Sequence, residues 1–359
     1  MISMKARLAK VFDNVSVNQI LIINTGMEDS NFLYLTGFKD GLFEGSVLLV
    51  KRNSMALFVS PLEYGIAKRE RPKEMKLVLL DKAGKMSGML KKELHGKRVG
   101  VNGAFLPYNL HQELSSLIKA RFVDISKQML QARLVKDESE LKTMRKAVSI
   151  TKKALSMGRS SLKVGMTERQ VAAVIDSTMK DSGAEPAFAS IVSFDSNTAL
   201  PHYGAGGARL RKNSIVLFDI GAKVDNYCAD MTRTFMFKPD PKSAKFKRFS
   251  EIHSVVSEAQ KLALEKIKEG ARASAAHIAA ANYIDRYGGG IYRGKFIHAL
   301  GHSIGIDVHD GGAGLYPGCK QKLKRNMVFS DEPGIYIEGF GGVRLEDDVI
   351  VGKSHSKFI

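Results

Sequence analysis

The sequence predicts two folded units in one chain: a small α/β domain over residues 1–128 and a larger α+β domain over residues 129–359. Three observations predict it. At 359 residues the chain exceeds one ordinary core, since about 150 residues per domain is the usual size. Its first third alternates short apolar runs with turn residues, whereas near residue 130 long amphipathic helices and antiparallel hairpins take over. Hydrophobic residues at 44% and charged residues at 26% are globular values, which excludes a disordered or fibrous chain.

Taken in order, Gln19–Ile23 is an apolar strand, and residues 45–50 with 55–59 form a hairpin around Lys51-Arg52-Asn53-Ser54. Further strands fall at 76–80 and 98–101, with helices at 8–12, 61–71 and 110–119. Beyond residue 130, Leu134, Leu141, Met144, Val148 and Leu155 share one face of a long helix that Gly158 ends. Thr167 and Gln170 form a capping box in which each satisfies the other's orphan backbone N–H. The helix behind it buries Val171, Val174, Ile175 and Met179 and stops at Gly183. A third helix runs over 243–269, with Phe246, Phe249, Val256, Leu262 and Ile267 inward and Gly270 after it. Strands at 215–220, 231–237, 327–330 and 343–351 fill the gaps, with no internal repeat.

The balance of 55 basic against 37 acidic side chains gives a net charge of +18, which raises nucleic acid or an anionic surface as a partner. The excess is spread, however. Residues 1–128 hold 20 Lys/Arg against 12 Asp/Glu, and residues 129–359 hold 35 against 25, so it reads as a solvated surface. Two cysteines, Cys228 and Cys319, cannot build a disulfide framework, which points to a reducing compartment. The stretch before Asp13 lacks the apolar run of a signal peptide. No run approaches about 18 apolar residues. The expectation is a cytoplasmic protein that does not enter the membrane.

The chemistry concentrates in the second domain. An apolar strand ends at Asp219, passes a polar turn and returns to Asp230; with the turn centred on Val224 to Asn226, the two carboxylates face each other at about 5 Å. Such a pair repels unless it shares a proton or a cation. Two lone aspartates are more often a salt-bridged or turn-capping pair. The chain's end repeats the device, because a Gly339-Phe340-Gly341 turn sets Glu332 opposite Glu346. Between the hairpins lies His298-Ala299-Leu300-Gly301-His302-Ser303-Ile304-Gly305-Ile306-Asp307-Val308-His309. Any one of these histidines, or His202, is alone more often a core or surface residue. Four carboxylates with one or more histidines change that weighing. Oxygen ligands with a single nitrogen suit manganese, cobalt, iron or zinc, and four carboxylates suit two ions better than one.

Asp219, then Asp230-Met231-Thr232-Arg233-Thr234, the His298–Gly305 run, Glu332-Pro333-Gly334 and Arg344-Leu345-Glu346-Asp347 together resemble the pita-bread metallopeptidases of the creatinase, aminopeptidase P and prolidase family, in its Xaa-Pro branch. Asn31-Phe32-Leu33-Tyr34-Leu35-Thr36-Gly37-Phe38 resembles the signature of that family's amino-terminal domain. The resemblance covers the whole chain. It implies a pita-bread catalytic domain, an antiparallel sheet flanked by helices, preceded by a smaller creatinase-type α/β domain. It implies two divalent ions, manganese or cobalt first and zinc or iron as alternates. Asp219 would chelate one ion, Asp230 and Glu346 would bridge both, and His302 and Glu332 would hold the second. Glu332 would also shuttle the proton to the leaving proline nitrogen. His202 and His309 would steady the substrate carbonyl and the tetrahedral intermediate. Arg344 and His298 would support the ligands from behind, and Cys228 would pack.

One position departs from the pattern. Prolidases place an acid after the last histidine of the motif and, four residues on, an arginine that clamps the dipeptide's carboxylate; here the run is His309-Asp310-Gly311-Gly312-Ala313. Ala313 in that place tilts the reading toward an Xaa-Pro aminopeptidase acting on short proline-containing peptides, with an Xaa-Pro dipeptidase as the alternative. A methionine aminopeptidase shares the ligands but lacks a domain of this size ahead of them. A ligand-free RNA- or ribosome-binding relative is disfavoured by the intact ligand set, so nucleic acid is not expected as a partner. A homodimer is expected from the resemblance.

Overall fold

A computed structural model describes residues 4–26, 29–80, 85–94 and 97–359; the first three residues of the amino-terminal stretch read above lie outside it. The chain divides into two compact units, Met1–Arg133 and Leu134–Ile359. Among the described residues no helix is long and apolar enough to cross a membrane.

In the first unit six strands make one mixed sheet, ordered Lys76–Leu79, Ser54–Val59, Val47–Lys51, Gln19–Ile23, Arg98–Val101, Arg121–Asp124. The three central strands pair antiparallel and the outer pairings are parallel. Lys51 pairs with Ser54, so the hairpin turns on Arg52 and Asn53 alone. Val47, Leu48, Leu49 and Val50 are all buried, as in a sheet covered on both faces. The sequence reading lacks the edge strand Arg121–Asp124, whose charged ends leave only Phe122 and Val123 to signal it. It also assigns no element to the Asn31–Phe38 stretch, most of which forms the helix Ser30–Thr36. Asp29 caps that helix by accepting from the Asn31 N–H at 2.8 Å, and Gly37 ends it at φ 70°.

In the second unit each of two helix pairs packs on a hairpin. Glu138–Ser161 and Glu168–Asp181 share a core with strands Ser214–Ile220 and Met231–Phe237. Ala244–Lys266 and Ser274–Arg286 share another with strands Val328–Asp331, Gly334–Ile337, Gly341–Arg344 and Asp347–Ile350. The capping box of Thr167 and Gln170 is present, and Asp137 with Glu140 forms another.

Four expectations need correction. Gly158 does not end the long helix, which continues to Ser161. Gly158 is instead the crossing point with the next helix, where an added Cβ would lie 2.6 Å from Ile175 Cγ1. Leu134 closes the preceding helix Ser126–Leu134 rather than joining the long one. The helix Ser274–Arg286 is absent from the sequence reading because its buried face is largely Ala276 and Ala280, which carry little apolar signal. The single strand expected over 343–351 breaks at Leu345 and Glu346.

Each hairpin keeps one register through a break. In the first, Ile220 pairs with Met231 and Lys223 with Cys228, leaving Gly221 opposite Asp230 outside the ladder. In the second, Asp331 pairs with Asp347 and Gly334 with Arg344, leaving Glu332 and Pro333 opposite Glu346 and Leu345. Both breaks point at the same place.

Candidate metal centre

The first break is built by a turn. Asp225 and Asn226 take φ of 46° and 72°, the two left-handed positions of a type I′ hairpin. That turn is offset from the one assumed in the sequence reading, and the offset corrects it: Asp219 pairs with Thr232, not with Asp230. Asp230 lies just beyond the ladder, opposite a glycine. Gly221 is required there, since a Cβ would lie 2.0 Å from the Ala229 carbonyl oxygen. The second break follows from Pro333, which has no N–H to give a ladder. The freed Glu332 N–H donates to the Leu300 carbonyl at 2.9 Å, and the Glu346 N–H donates to the Thr232 carbonyl at 3.1 Å. The opposed glutamates expected from the sequence are therefore present, in the gap rather than in the ladder.

The breaks and the histidine run close on one another. Ligand atoms of Asp230, His302 and Glu346 all lie within 4.8 Å of one another. His302 Nε2 is 3.6 Å from Asp230 Oδ2 and 3.5 Å from Glu332 Oε1. Asp219 joins them through Arg344, whose guanidinium donates to Asp219 Oδ2 at 2.5 Å, to the Tyr336 hydroxyl at 2.9 Å and to Thr232 Oγ1 at 3.0 Å. Thr232 in turn donates to Glu346 Oε2 at 2.6 Å. All five candidate ligands border one cavity of about 470 Å³, with His202, His298, His309 and Arg344, and with Phe188, Ile191 and Val308 as apolar wall.

The electrostatics ask for a cation. Burial first, then the charge of Glu346, holds Asp230 well above the usual carboxylate range. Burial and the charge of Glu332 do the same to Glu346. Burial pushes Glu332 up to about 7, and pushes His302 down to about 4, helped by neighbouring His309. Without metal, then, protons sit on the carboxylates while the imidazole is neutral. Asp219 Oδ1 and Asp230 Oδ1 are buried with no hydrogen-bond partner among the described residues. Buried oxygens of this kind beside a neutral imidazole nitrogen are the donor set that divalent ions of the manganese-to-zinc series accept, so the residues fit the expected group.

Around this centre the supporting residues divide by exposure. His298 is half-buried; its Nδ1 lies 2.7 Å from the Ala299 carbonyl and its Nε2 2.8 Å from the Tyr336 hydroxyl. The carbonyl can only accept, so Nδ1 carries the proton and Tyr336 donates to Nε2. His202 and His309 are exposed on the cavity's rim, with the His309 ring centroid 4.1 Å from that of His302. The sequence reading leaves Thr232, Tyr336 and Lys136 unused. A polar residue at every second position of an apolar strand, Thr232 and Thr234, is the signal for the first of them. Lys136 is fully buried and pairs with Asp310 at 3.1 Å, tying down the loop behind His309. Ala313 packs against the core.

The family description “Metallopeptidase family M24” matches residues 142–353, and “Creatinase/Prolidase N-terminal domain” matches residues 6–135. An Xaa-Pro dipeptidase of Pyrococcus horikoshii is 33% identical over 357 residues, covering 98% of this chain and 95% of the relative. That of Pyrococcus furiosus is 32% identical over 358 residues, with coverage of 98% and 95%. Among solved structures, an X-Pro aminopeptidase from Thermotoga maritima has a TM-score of 0.88 at 30% identity, covering 97% of each chain. A prolidase from Pyrococcus furiosus has 0.84 at 31%, covering 98% of each.

Proposed function

Since the chain belongs to metallopeptidase family M24, with a creatinase/prolidase N-terminal domain ahead of the M24 domain, we propose that it is an Xaa-Pro dipeptidase, hydrolysing the bond between an amino-terminal residue and proline. The observation that carries this reading is similarity over both domains to two Xaa-Pro dipeptidases. It reverses the order of preference drawn from the sequence, where the aminopeptidase came first. Asp219, Asp230, His302, Glu332 and Glu346 would hold two divalent ions. When bound, such ions acidify a water and polarise the scissile carbonyl.

The chain's own residues do the rest. Glu332 borders the cavity with Oε1 3.5 Å from His302 Nε2, and would take the water's proton and return it to the proline nitrogen. His202 and His309, at the rim, are placed to donate to the carbonyl oxygen as it gains charge. Arg344, through Asp219, Thr232 and Tyr336, holds the ligands in register. His298 Nε2 accepts a hydrogen bond from the Tyr336 hydroxyl and thereby fixes that ring.

A second reading, the Xaa-Pro aminopeptidase, keeps one observation in its favour. Ala313 stands where a carboxylate clamp is expected, and Arg344, the one arginine among the described residues that line the cavity, is committed to three partners already. Hydrolysis of Ala-Pro beside Ala-Pro-Ala, by protein stripped with chelator and reloaded with manganese, cobalt or zinc, separates the two. Cleavage of the dipeptide is expected, with Glu332→Gln inactive as control. Release of alanine from the tripeptide alone makes it an aminopeptidase, and cleavage of neither overturns both readings.

A further inference from the structure

Glu168, the first residue of the helix Glu168–Asp181, is a carboxylate with no solvent exposure, and among the described residues no cation pairs with it. Its hydrogen bonds reach two stretches of one loop. Oε1 accepts from the Phe194 N–H at 2.8 Å and from the Asn197 side-chain amide at 3.0 Å. Oε2 accepts from the Gly206 N–H at 3.0 Å. Between these anchors the chain makes a turn, Leu200-Pro201-His202-Tyr203, closed by the Tyr203 N–H donating to the Leu200 carbonyl at 3.1 Å. His202 is at its third position and is exposed.

Other contacts make the arrangement specific. A Cβ at Gly206 would stand 2.4 Å from the Tyr203 hydroxyl and 2.9 Å from Glu168 Oε2, so only glycine lets the carboxylate reach that amide. Thr198, inside the same loop, accepts from the Gly342 N–H at 2.8 Å, two residues before Arg344. One end of the loop is thereby referred to the glutamate hairpin, while the His202 turn itself is held by Glu168. A buried carboxylate without a cation is costly unless donors surround it. Three N–H donors, all from the segment that bears His202, are the compensation here.

We propose that Glu168 is a positioning residue for the reaction: it clamps both sides of the Leu200–Tyr203 turn and so sets where His202 meets the substrate. This rests on the reading of His202 as a carbonyl-steadying group. An exposed turn with an imidazole at its tip sweeps a wide volume unless its base is fixed, and misplacement by about 1 Å can cost a hundredfold in rate.

The test is a double-mutant cycle on metal-reloaded full-length protein. Glu168→Gln keeps the shape but turns one acceptor into a donor facing an N–H. Expected are a ten- to hundredfold fall in kcat/KM for Ala-Pro, unchanged metal stoichiometry, and faster deuterium uptake confined to residues 195–206. The double variant Glu168→Gln/His202→Ala should be no slower than His202→Ala alone. Multiplying losses, or unchanged exchange in the turn, would overturn the proposal. Should Glu168→Gln not fold, Asn197→Ala removes one hydrogen bond to the carboxylate, and the same direction of change, smaller, is expected; no change in exchange overturns it. If the parent protein cleaves no Xaa-Pro substrate, the functional reading fails, and the exchange measurement still decides whether Glu168 anchors the turn.

Discussion

The two hairpins of the second unit solve one problem in different ways: each must bring a pair of carboxylates to the cavity, and like charges directly opposite in a ladder destabilise it. The hairpin of Ser214–Ile220 and Met231–Phe237 staggers its pair. Asp219 sits inside the ladder against Thr232, and Asp230 sits outside it against Gly221. The hairpin of Val328–Ile337 and Gly341–Ile350, written across its break, keeps Glu332 and Glu346 opposed and opens the ladder around them. Just before that opening, Asp331 and Asp347 do pair in the ladder. There the conflict is settled by charge: Asp347 takes Arg233 at 2.6 Å, while burial first and the Asp347 charge second hold Asp331 well above the usual carboxylate range. Carboxylates denied their ordinary neighbours in this way are the donors that a cation would take up.

The largest effect should come from the opened ladder. Glu332→Gln keeps the volume but cannot carry a proton, and kcat should fall by about 10²–10⁴-fold, read by steady-state hydrolysis with metal content measured in parallel; a loss under tenfold would assign the proton to another group. Arg344→Met removes the guanidinium that links the two hairpins and leaves Asp219 buried without its partner. It should cost about 3–5 kcal/mol in urea denaturation of the metal-free protein.

The staggered hairpin should be the more sensitive to shape. Gly221→Ala drives a methyl into the Ala229 carbonyl and should cost about 1–3 kcal/mol. Calorimetric titration should then show metal affinity weakened through Asp230. Thr232→Val breaks the hydroxyl relay between Arg344 and Glu346, for about 1–3 kcal/mol; an effect as large as that of Arg344→Met would mean the relay, not the ion pair, joins the hairpins.

The smallest effect is pH-dependent. Between pH 6.5 and 8 His298 and His302, both pushed down to about 4 by burial, are neutral. Glu332, ordinarily near 4.5, is raised to about 7, so in this window the folded state holds a proton that the unfolded state has lost. Stability from that group is present below pH 4.5 and disappears as pH rises through 7. The stability of the chelated protein relative to Glu332→Gln, in which the histidines contribute alike, should fall by about 1 kcal/mol from pH 6.5 to 8 for this one carboxyl, and added divalent metal should cancel the fall. A stability difference between the two proteins that stays constant over the same range would mean that Glu332 is ionised throughout.

The sequence by itself determined the family, because the motifs around Asp219, Asp230, His302, Glu332 and Glu346 stand together in residue order, and the resemblance they carry named these five as candidate ligands. It also determined the helices with strong stripes or caps, such as Glu168–Asp181, and the hairpin around Lys51-Arg52-Asn53-Ser54, whose turn the structure narrows to Arg52 and Asn53. What it left open depends on space. Whether Asp219 meets Asp230 or Thr232 rests on the φ angles of Asp225 and Asn226, which shift the register. Gly158 reads as a helix stop in the chain and proves to be a packing contact, since only the neighbouring Ile175 distinguishes the two. Glu168 reads as an ordinary first-turn acid beside its capping box. Only the tertiary structure brings Phe194, Asn197 and Gly206 to it, because hydrogen bonds between residues far apart in sequence leave no periodicity for a linear pattern to record.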